Sequence, residues 1–369
     1  MKILQKTNLG AYKKAKRLGS KKVVELIKKK GLTGRGGACF PTGLKWEFAL
    51  KSKGERFLIV NADEGEPGTF KDKFIIENNS ELLVEGILIA CYTLGIKQAY
   101  IYLRGEYSYL KGKLERAIKN LVKKTKAKLN ILVVSGAGAY VCGDETAIIQ
   151  SIEGKRGQPY IKPPYPTDKG LWEKPTVINN VETLANVPLA ILYDDWDDKL
   201  RLFSLSGNVT KPGVYELALG TNLTEIINIS KPKNNIKSVY FGCFGGCMPY
   251  CSIKITAENV KKKGCILGTC TIIAVDEKQS IVDMATNIAK FFEYESCGKC
   301  TPCRESTMRV LNLLQEISLG NATKKELQTL EELTYFIRDC SLCGLGQSSM
   351  NHLITALNFF RKEFEERCR

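Results

Sequence analysis

Histidine is almost missing from this chain: 369 residues include one, His352. A zinc site of the His-Glu-x-x-His type needs two histidines, so it is excluded, and a Ser-His-Asp or Cys-His nucleophilic site has only His352 to build on. A long apolar run is missing too. The longest charge-free stretch, Cys340 to Phe360, is broken by Ser, Gln, Asn and His and does not make the ~20-residue apolar segment of a membrane span. The N-terminus has no apolar stretch of the kind a secretory signal carries. These absences predict a cytoplasmic protein, where thiols stay reduced. What the chain does have is cysteine, 14 in all. In a reducing compartment that number argues for metal or redox chemistry over a disulfide framework, and any metal must be held largely by thiolates.

Length and charge bound the rest. At ~150 residues per domain, two or three domains are expected. The formal net charge is +16, from 55 basic and 39 acidic residues. Much of the excess lies in the first thirty residues, where Lys2, Lys6, Lys13, Lys14, Lys16, Arg17, Lys21, Lys22 and Lys28 to Lys30 face only Glu25. A solvated basic helix is the reading preferred over a nucleic-acid arm, because no aromatic interleaving accompanies the charge. Docking to an acidic partner or binding a polyanionic cofactor stays open.

From Thr33 to about Leu200 short β-rich runs alternate with helical ones. Phe57 to Val60, Ala99 to Leu103 and Ile131 to Val134 read as buried strands, with helices at Ser80 to Thr93, opened by Ser80 as N-cap, and at Ser108 to Lys123. That alternation predicts an α/β fold with a parallel sheet and a ligand at the C-terminal ends of its strands. From Leu202 to Asp276 strands are expected at Leu202 to Ser206, Gly213 to Leu217, Ser238 to Phe241 and Ile272 to Val275, with a helix at Leu223 to Ile229, an arrangement that resembles a β-grasp (ubiquitin-like) fold. From Ile281 onward the apolar residues fall at helical spacing, which predicts a C-terminal helical bundle. The resulting division is 1–200, 201–280 and 281–369.

Five segments carry chemistry. Cys297-Gly-Lys-Cys300-Thr-Pro-Cys303, with the remote Cys343, has three thiolates spaced to wrap one corner of a cluster and a fourth to close it, the usual arrangement for a 4Fe-4S cluster. A zinc site of four thiolates is the competing reading, and Cys340 competes with Cys343 as fourth ligand. Thr33-Gly-Arg-Gly-Gly-Ala-Cys39-Phe-Pro-Thr-Gly-Leu-Lys45-Trp combines glycines that allow close backbone approach with the positive charge of Arg35 and Lys45, and suits a phosphate-bearing ligand or, on composition alone, a flexible turn. Asn61-Ala-Asp-Glu-Gly-Glu66-Pro-Gly follows a strand and offers acceptors for hydroxyl or ring N–H groups, or else a Mg2+ or Ca2+ site. Gly136 to Ala147 is a second glycine-rich turn that opens a helix after a strand. Lys174 to Leu184 groups Asn179, Asn180 and Thr183, amides and a hydroxyl suited to neutral ligand groups.

Taken in order, these segments resemble the NADH-binding FMN and iron-sulfur subunit of respiratory complex I, the 51 kDa-type family, which includes the diaphorase subunits of NAD-linked hydrogenases and formate dehydrogenases. The resemblance covers about residues 30 to 365. It implies FMN, a 4Fe-4S cluster and NAD(H) or NADP(H) as substrate. By resemblance Gly34, Arg35, Gly36, Gly37, Lys45, Asn61, Asp63, Glu64, Gly143, Asp144, Glu145, Asn179, Asn180 and Thr183 contact FMN. The nicotinamide nucleotide stacks on Phe40, Phe48 and Tyr165 with Lys45, Glu66, Tyr140 and Glu145 nearby, Glu66 and Glu145 being the catalytic pair. Cys297, Cys300, Cys303 and Cys343 match the cluster ligands. Cys39, Tyr165 and Asp144 stand where the family usually has Gly, Phe and Glu.

The activity implied is hydride transfer between NAD(P)H and FMN, then single electrons to the cluster and on to partner subunits. The expected partners are a small 2Fe-2S thioredoxin-like subunit and a larger multi-cluster iron-sulfur subunit, since the thioredoxin-like and ferredoxin-like extensions of longer members are not seen in this sequence. No nucleic acid and no direct membrane insertion are expected, the assembly being at most peripheral to a membrane. A scaffold or electron-relay subunit that keeps the fold and cluster without nucleotide turnover is the rival, and a basic nucleic-acid binder with a zinc ribbon the third reading. Cys243, Cys247, Cys251, Cys265 and Cys270 are either a further metal centre or unliganded thiols.

Overall fold

The computed structural model describes residues 1–369. The chain folds into two compact units, Met1–Gly65 with Phe70–Leu202, and Glu66–Thr69 with Phe203–Arg369.

In the first unit four parallel strands, β1 (Phe57–Ala62), β2 (Gln98–Leu103), β3 (Asn130–Ser135) and β4 (Thr176–Asn180), lie in the order β3-β2-β1-β4. The predicted strands are present, each longer by one to two residues. β4 is an addition to the sequence expectation: it is only five residues long and is buried apart from Asn180, so it has no alternation to reveal it. The runs Phe57–Val60 and Ala99–Leu103 are buried without interruption, as expected of parallel strands covered on both faces.

One layer over this sheet is the helix Lys71–Leu94 packed against Val181–Leu192. It begins nine residues before the predicted start at Ser80. The reason is a break at Asn79, where the backbone leaves helical geometry. Asn79, not Ser80, caps the second half, its Oδ1 accepting from the Leu82 N–H at 3.4 Å while its amide donates to the carbonyls of Ile3 and Gln5. The predicted helix at Ser108 is a 3-10 turn, Gly105–Leu110, leading into Lys111–Thr125. The basic N-terminus forms two helices, Gly10–Leu18 and Ser20–Lys29, divided at Gly19 in a positive-φ conformation. Their apolar faces (Ala11, Tyr12, Ala15, Val23, Val24, Ile27) are buried and most of their lysines face solvent.

In the second unit five strands, β5 (Leu200–Gly207), β6 (Gly213–Ala218), β7 (Ile236–Tyr240), β8 (Cys247–Pro249) and β9 (Thr271–Asp276), take the order β6-β5-β9-β7-β8. β5 and β9 are parallel, while β7 runs antiparallel to both β9 and β8. A first strand paired in parallel with the last at the sheet centre, with the helix Leu223–Ile229 packed into the core beside Phe203, Val239 and Ile272, is the β-grasp arrangement. Helices Ile281–Glu295, Thr301–Ser318, Lys324–Cys340, Gly344–Ser349 and Asn351–Glu365 follow. Their shared core includes Phe292, Val310, Leu314, Ile337 and Leu353. His352 is sealed into it, stacked on Phe292 with ring centroids 5.8 Å apart and its Nδ1 2.8 Å from the Ser349 carbonyl.

Two tests follow from this packing. A Cβ at Gly86 would lie 1.9 Å from the Leu184 carbonyl oxygen, whereas one at Gly112 would meet only the Arg116 guanidinium, at 3.7 Å. Gly86→Ala is expected to destabilise by about 1–3 kcal/mol, and Gly112→Ala to stabilise by up to about 1 kcal/mol through lost chain entropy, both read from denaturant midpoints. Burial pushes His352 down to about 4. The unfolded imidazole, near 6.5, therefore binds protons that the folded one refuses, and its contribution to stability is full above ~6.5 and lost as pH falls toward 4. The stability difference between the wild type and His352→Leu should shift in favour of the variant over that window and stay level above it.

Candidate functional site

The register of β1 against β4 pairs Asn61 with Asn180 at the C-terminal end of the sheet. That single alignment gathers segments distant in sequence. The Asn61 amide donates to the Gly143 carbonyl at 2.9 Å, and its Oδ1 accepts from the Asp63 N–H. Trp46, fully buried, donates from Nε1 to Asn179 Oδ1 at 2.9 Å. The Arg35 N–H donates to Thr183 Oγ1 at 2.8 Å, and a Cβ on Gly36 would lie 3.4 Å from that of Asn180. The glycine loop, the Asn61 segment, the turn at Gly143 and the Asn179–Thr183 segment therefore form one cradle within the first unit.

The charges there are arranged differently from the sequence expectation. The Arg35 guanidinium is turned into the protein interior. It is buried against Asp198 (2.9 Å), Glu182 (3.6 Å) and the Leu200 carbonyl, and what Arg35 gives the cradle is the fixed backbone of the loop. Lys45 does face the cradle, with Nζ 3.3 Å from Glu145 and 3.2 Å from the Ile178 carbonyl. Glu145 is clamped a second time by Lys162 at 2.9 Å. Burial pushes this carboxyl up, but the two ammonium groups outweigh it and hold it below the usual carboxylate range. Asp144 is used as a helix cap, accepting from the N–H groups of Thr146 and Ala147. Tyr140 packs over Gly65, where a Cβ would meet its ring at 2.6 Å. Phe40, Phe48 and Tyr165 stand 39–53% exposed. Cys39 holds φ +52, the left-handed conformation that glycine adopts most readily.

The acidic segment divides. Glu64 is buried and caps the helix at Lys71, accepting from the N–H groups of Asp72 (2.8 Å) and Lys73 (3.0 Å). Burial and then the Asp72 charge raise it above the usual range. Glu66 belongs to the second unit, where its carboxylate accepts from Thr269 at 2.8 Å, Thr69 at 3.1 Å and the Cys243 N–H at 3.2 Å. Burial raises it against these bonds. Sequence reasoning missed Lys71, Asp72, Lys162, Glu182 and Asp198. Glu182 lies inside the Lys174–Leu184 segment and Lys162 three residues from Tyr165, but nothing local marks Lys71 as buried.

An aromatic, amide-rich cradle with a glycine loop at strand ends fits a planar cofactor that carries a phosphate, so FMN suits these residues. In the second unit the cysteine site is likewise assembled. Cys303 is buried at the first turn of Thr301–Ser318, and burial above all, with Cys300, Cys343 and Cys297 close by, pushes its thiol up to about 11. Gly298 turns the loop at φ +73, with the Arg304 guanidinium on its carbonyl. A Cβ on Gly346 would strike Ser341 at 2.5 Å and touch Cys303. Three thiols from one tight loop and a fourth from a remote segment suit the corners of a 4Fe-4S cluster. Cys340 is exposed. Of the five cysteines between 243 and 270, Cys243 and Cys247 pack in the bundle core, Cys265 and Cys270 in the β-grasp core, and Cys251 is exposed.

Comparison with known proteins gives two matches along the chain: the Nuo51 FMN-binding domain over residues 27–189 and the NADH-ubiquinone oxidoreductase-F iron-sulfur binding region over residues 283–367. The F component of the NADH-quinone oxidoreductase of Aquifex aeolicus is 42% identical, over 96% of this chain and 88% of that protein. The HndC component of the NADP-reducing hydrogenase of Solidesulfovibrio fructosivorans is 36% identical, over 93% and 75%. The crystal structure of an NAD+-reducing NiFe-hydrogenase in the H2-reduced state superposes with a TM-score of 0.90 at 34% identity, over 98% of this chain; the present chain spans 65% of that longer one. No helix is long and apolar enough to cross a membrane. With both family regions present in order and relatives matched over most of their length, the chain belongs to the complex I 51K family, which holds the F components of NADH-quinone oxidoreductases.

Proposed function

We propose that this chain is the electron-input subunit of a multi-subunit oxidoreductase, oxidising NADH at FMN and passing electrons through a 4Fe-4S cluster. The observation that carries the reading is the pairing of the strand-end cradle with a separate four-thiol site in one chain. Bound in these places, FMN supplies the conversion of a hydride into single electrons and the cluster supplies their way out. The protein's share is binding and orientation. Gly34, Gly36 and Gly37 let backbone approach the cofactor, and Asn61, Asp63, Asn179, Asn180 and Thr183 offer polar contacts. Phe40, Phe48 and Tyr165 are the stacking surfaces for the nucleotide. Lys45 and Lys162 keep Glu145 ionised and fixed in place, so it acts as an acceptor for the substrate rather than as a proton donor. Glu66 contributes through its neighbours Thr69, Thr269 and Cys243, and is assigned with Glu145 to the nucleotide side of the reaction.

Cys297, Cys300, Cys303 and Cys343 hold the cluster. The division into an FMN domain (1–200), a β-grasp domain (201–280) and a cluster bundle (281–369) follows this allocation of work. The partners that fit are a small 2Fe-2S thioredoxin-like subunit and a larger multi-cluster iron-sulfur subunit, in a cytoplasmic assembly at most peripheral to a membrane. The scaffold alternative has no support in the cradle, where the ion pairs and amides that would serve nucleotide turnover are all in place.

Protein reconstituted under anaerobic conditions is expected to carry one FMN and four irons per chain and to reduce ferricyanide with NADH; colourless protein without this activity would defeat the proposal. Assay with NADPH in parallel reads the choice of nucleotide. Cys300→Ala is expected to lose the iron and its visible absorbance while FMN stays bound, since the thiol site and the cradle are built from different residues.

A further inference from the structure

Beneath the cradle the first unit buries an unbroken row of alternating charges. Arg201 meets Asp198, Asp198 meets Arg35 at 2.9 Å, and Arg35 meets Glu182 at 3.6 Å. Glu182 meets Lys71 at 3.1 Å, and Lys71 meets Asp72 at 2.8 Å. Three cations thus oppose three carboxylates, with Glu64 capping the helix beside them through the Asp72 and Lys73 N–H groups and Tyr107 within 3.4 Å of Glu64. Lys71 is 1% exposed. Burial alone would push its ammonium down, but Asp72, Glu182 and Glu64 reverse that and raise it, so it is charged throughout the physiological range.

The row ends on Asn180. Its Nδ2 donates to Asp72, and its Oδ1 accepts from the Glu182 N–H at 2.9 Å and lies 3.5 Å from Lys71 Nζ. Asn180 is also the residue against which Gly36 of the glycine loop packs. An ammonium placed between two carboxylates and an amide therefore holds a side chain that lies against the glycine loop.

We propose that Lys71 is a positioning residue for the flavin cradle: it neutralises Asp72 and Glu182 beneath the site and holds Asn180 against the glycine loop, without touching the ligand itself. This rests on the FMN reading above. Removing the ammonium leaves a buried carboxylate uncompensated under a site that must admit an anionic phosphate ester, and both the misplaced amide and the added negative charge oppose binding. Removing Lys71 and Asp72 together leaves Glu182 with Arg35 and restores neutrality.

The test uses the full chain stripped of flavin, FMN affinity read by quenching of FMN fluorescence, and circular dichroism of each variant. Each variant is read against wild type at the same pH, so that the titration of Glu64 and of the FMN phosphate cancels from the comparison. Lys71→Met should bind at least about tenfold more weakly at pH 8, with the deficit shrinking at pH 6 as the uncompensated carboxylate takes up a proton. Lys71→Met with Asp72→Asn should bind within about threefold of wild type at both pH values. A single variant that fails to fold beside a double variant that folds and binds also supports the proposal. It is overturned if Lys71→Met binds as wild type does, or if the double variant is as weak as the single one or fails to fold. Wild type that binds no FMN would instead overturn the flavin reading.

Discussion

The alignment of β1 with β4 is the constraint on which the first unit turns. Parallel pairing in which Phe57 lies beside Thr176 and Asn61 beside Asn180 brings two polar chain reversals to one end of a sheet whose middle is wholly apolar. A slip of one residue would exchange the faces of every side chain, turning Val177 and Ile178 out of their packing and separating the two asparagines. The helix Val181–Leu192, capped by the Asn180 side chain, starts where that register ends, so the cradle is fixed by the same interactions that close the fold.

A second layer of order comes from charge. A layer of charge lies behind the glycine loop: the guanidinium of Arg35 and the ammonium of Lys71 are buried among Asp72, Glu182 and Asp198, while Lys45 and Lys162 take the outward positions around Glu145. Buried ion pairs add little net stability compared with apolar packing, but they penalise every arrangement in which a partner is misplaced. Such a row favours one geometry over its neighbours, which suits a site whose task is orientation.

How much of this was legible in the sequence depended on the range of the interaction concerned. β1, β2 and β3 announced themselves as apolar runs, Leu223–Ile229 as a short helical run, and the expected cluster site as three cysteines in seven residues. β4 was hidden because only Val177 and Ile178 of its five residues are apolar, and the helix at Lys71 because its first turns carry charge that local pattern assigns to solvent. The direction of the Arg35 side chain and the partners of Lys71 were beyond reach for another reason. Arg35 and Asp198 are 163 residues apart, and Lys71 and Asn180 109, so only the closed sheet makes them neighbours. Glu66 shows the same limit, since its place among Thr69, Thr269 and Cys243 could not be read from the acidic run to which it belongs.

The burial of His352 has a practical side. With the one imidazole of the chain enclosed in the bundle core, the protein surface offers incoming metal ions no imidazole ligand of the kind that traps copper, nickel and zinc. Metal ions arriving from outside therefore meet thiols, those of Cys39, Cys251 and Cys340 among them, and not imidazoles.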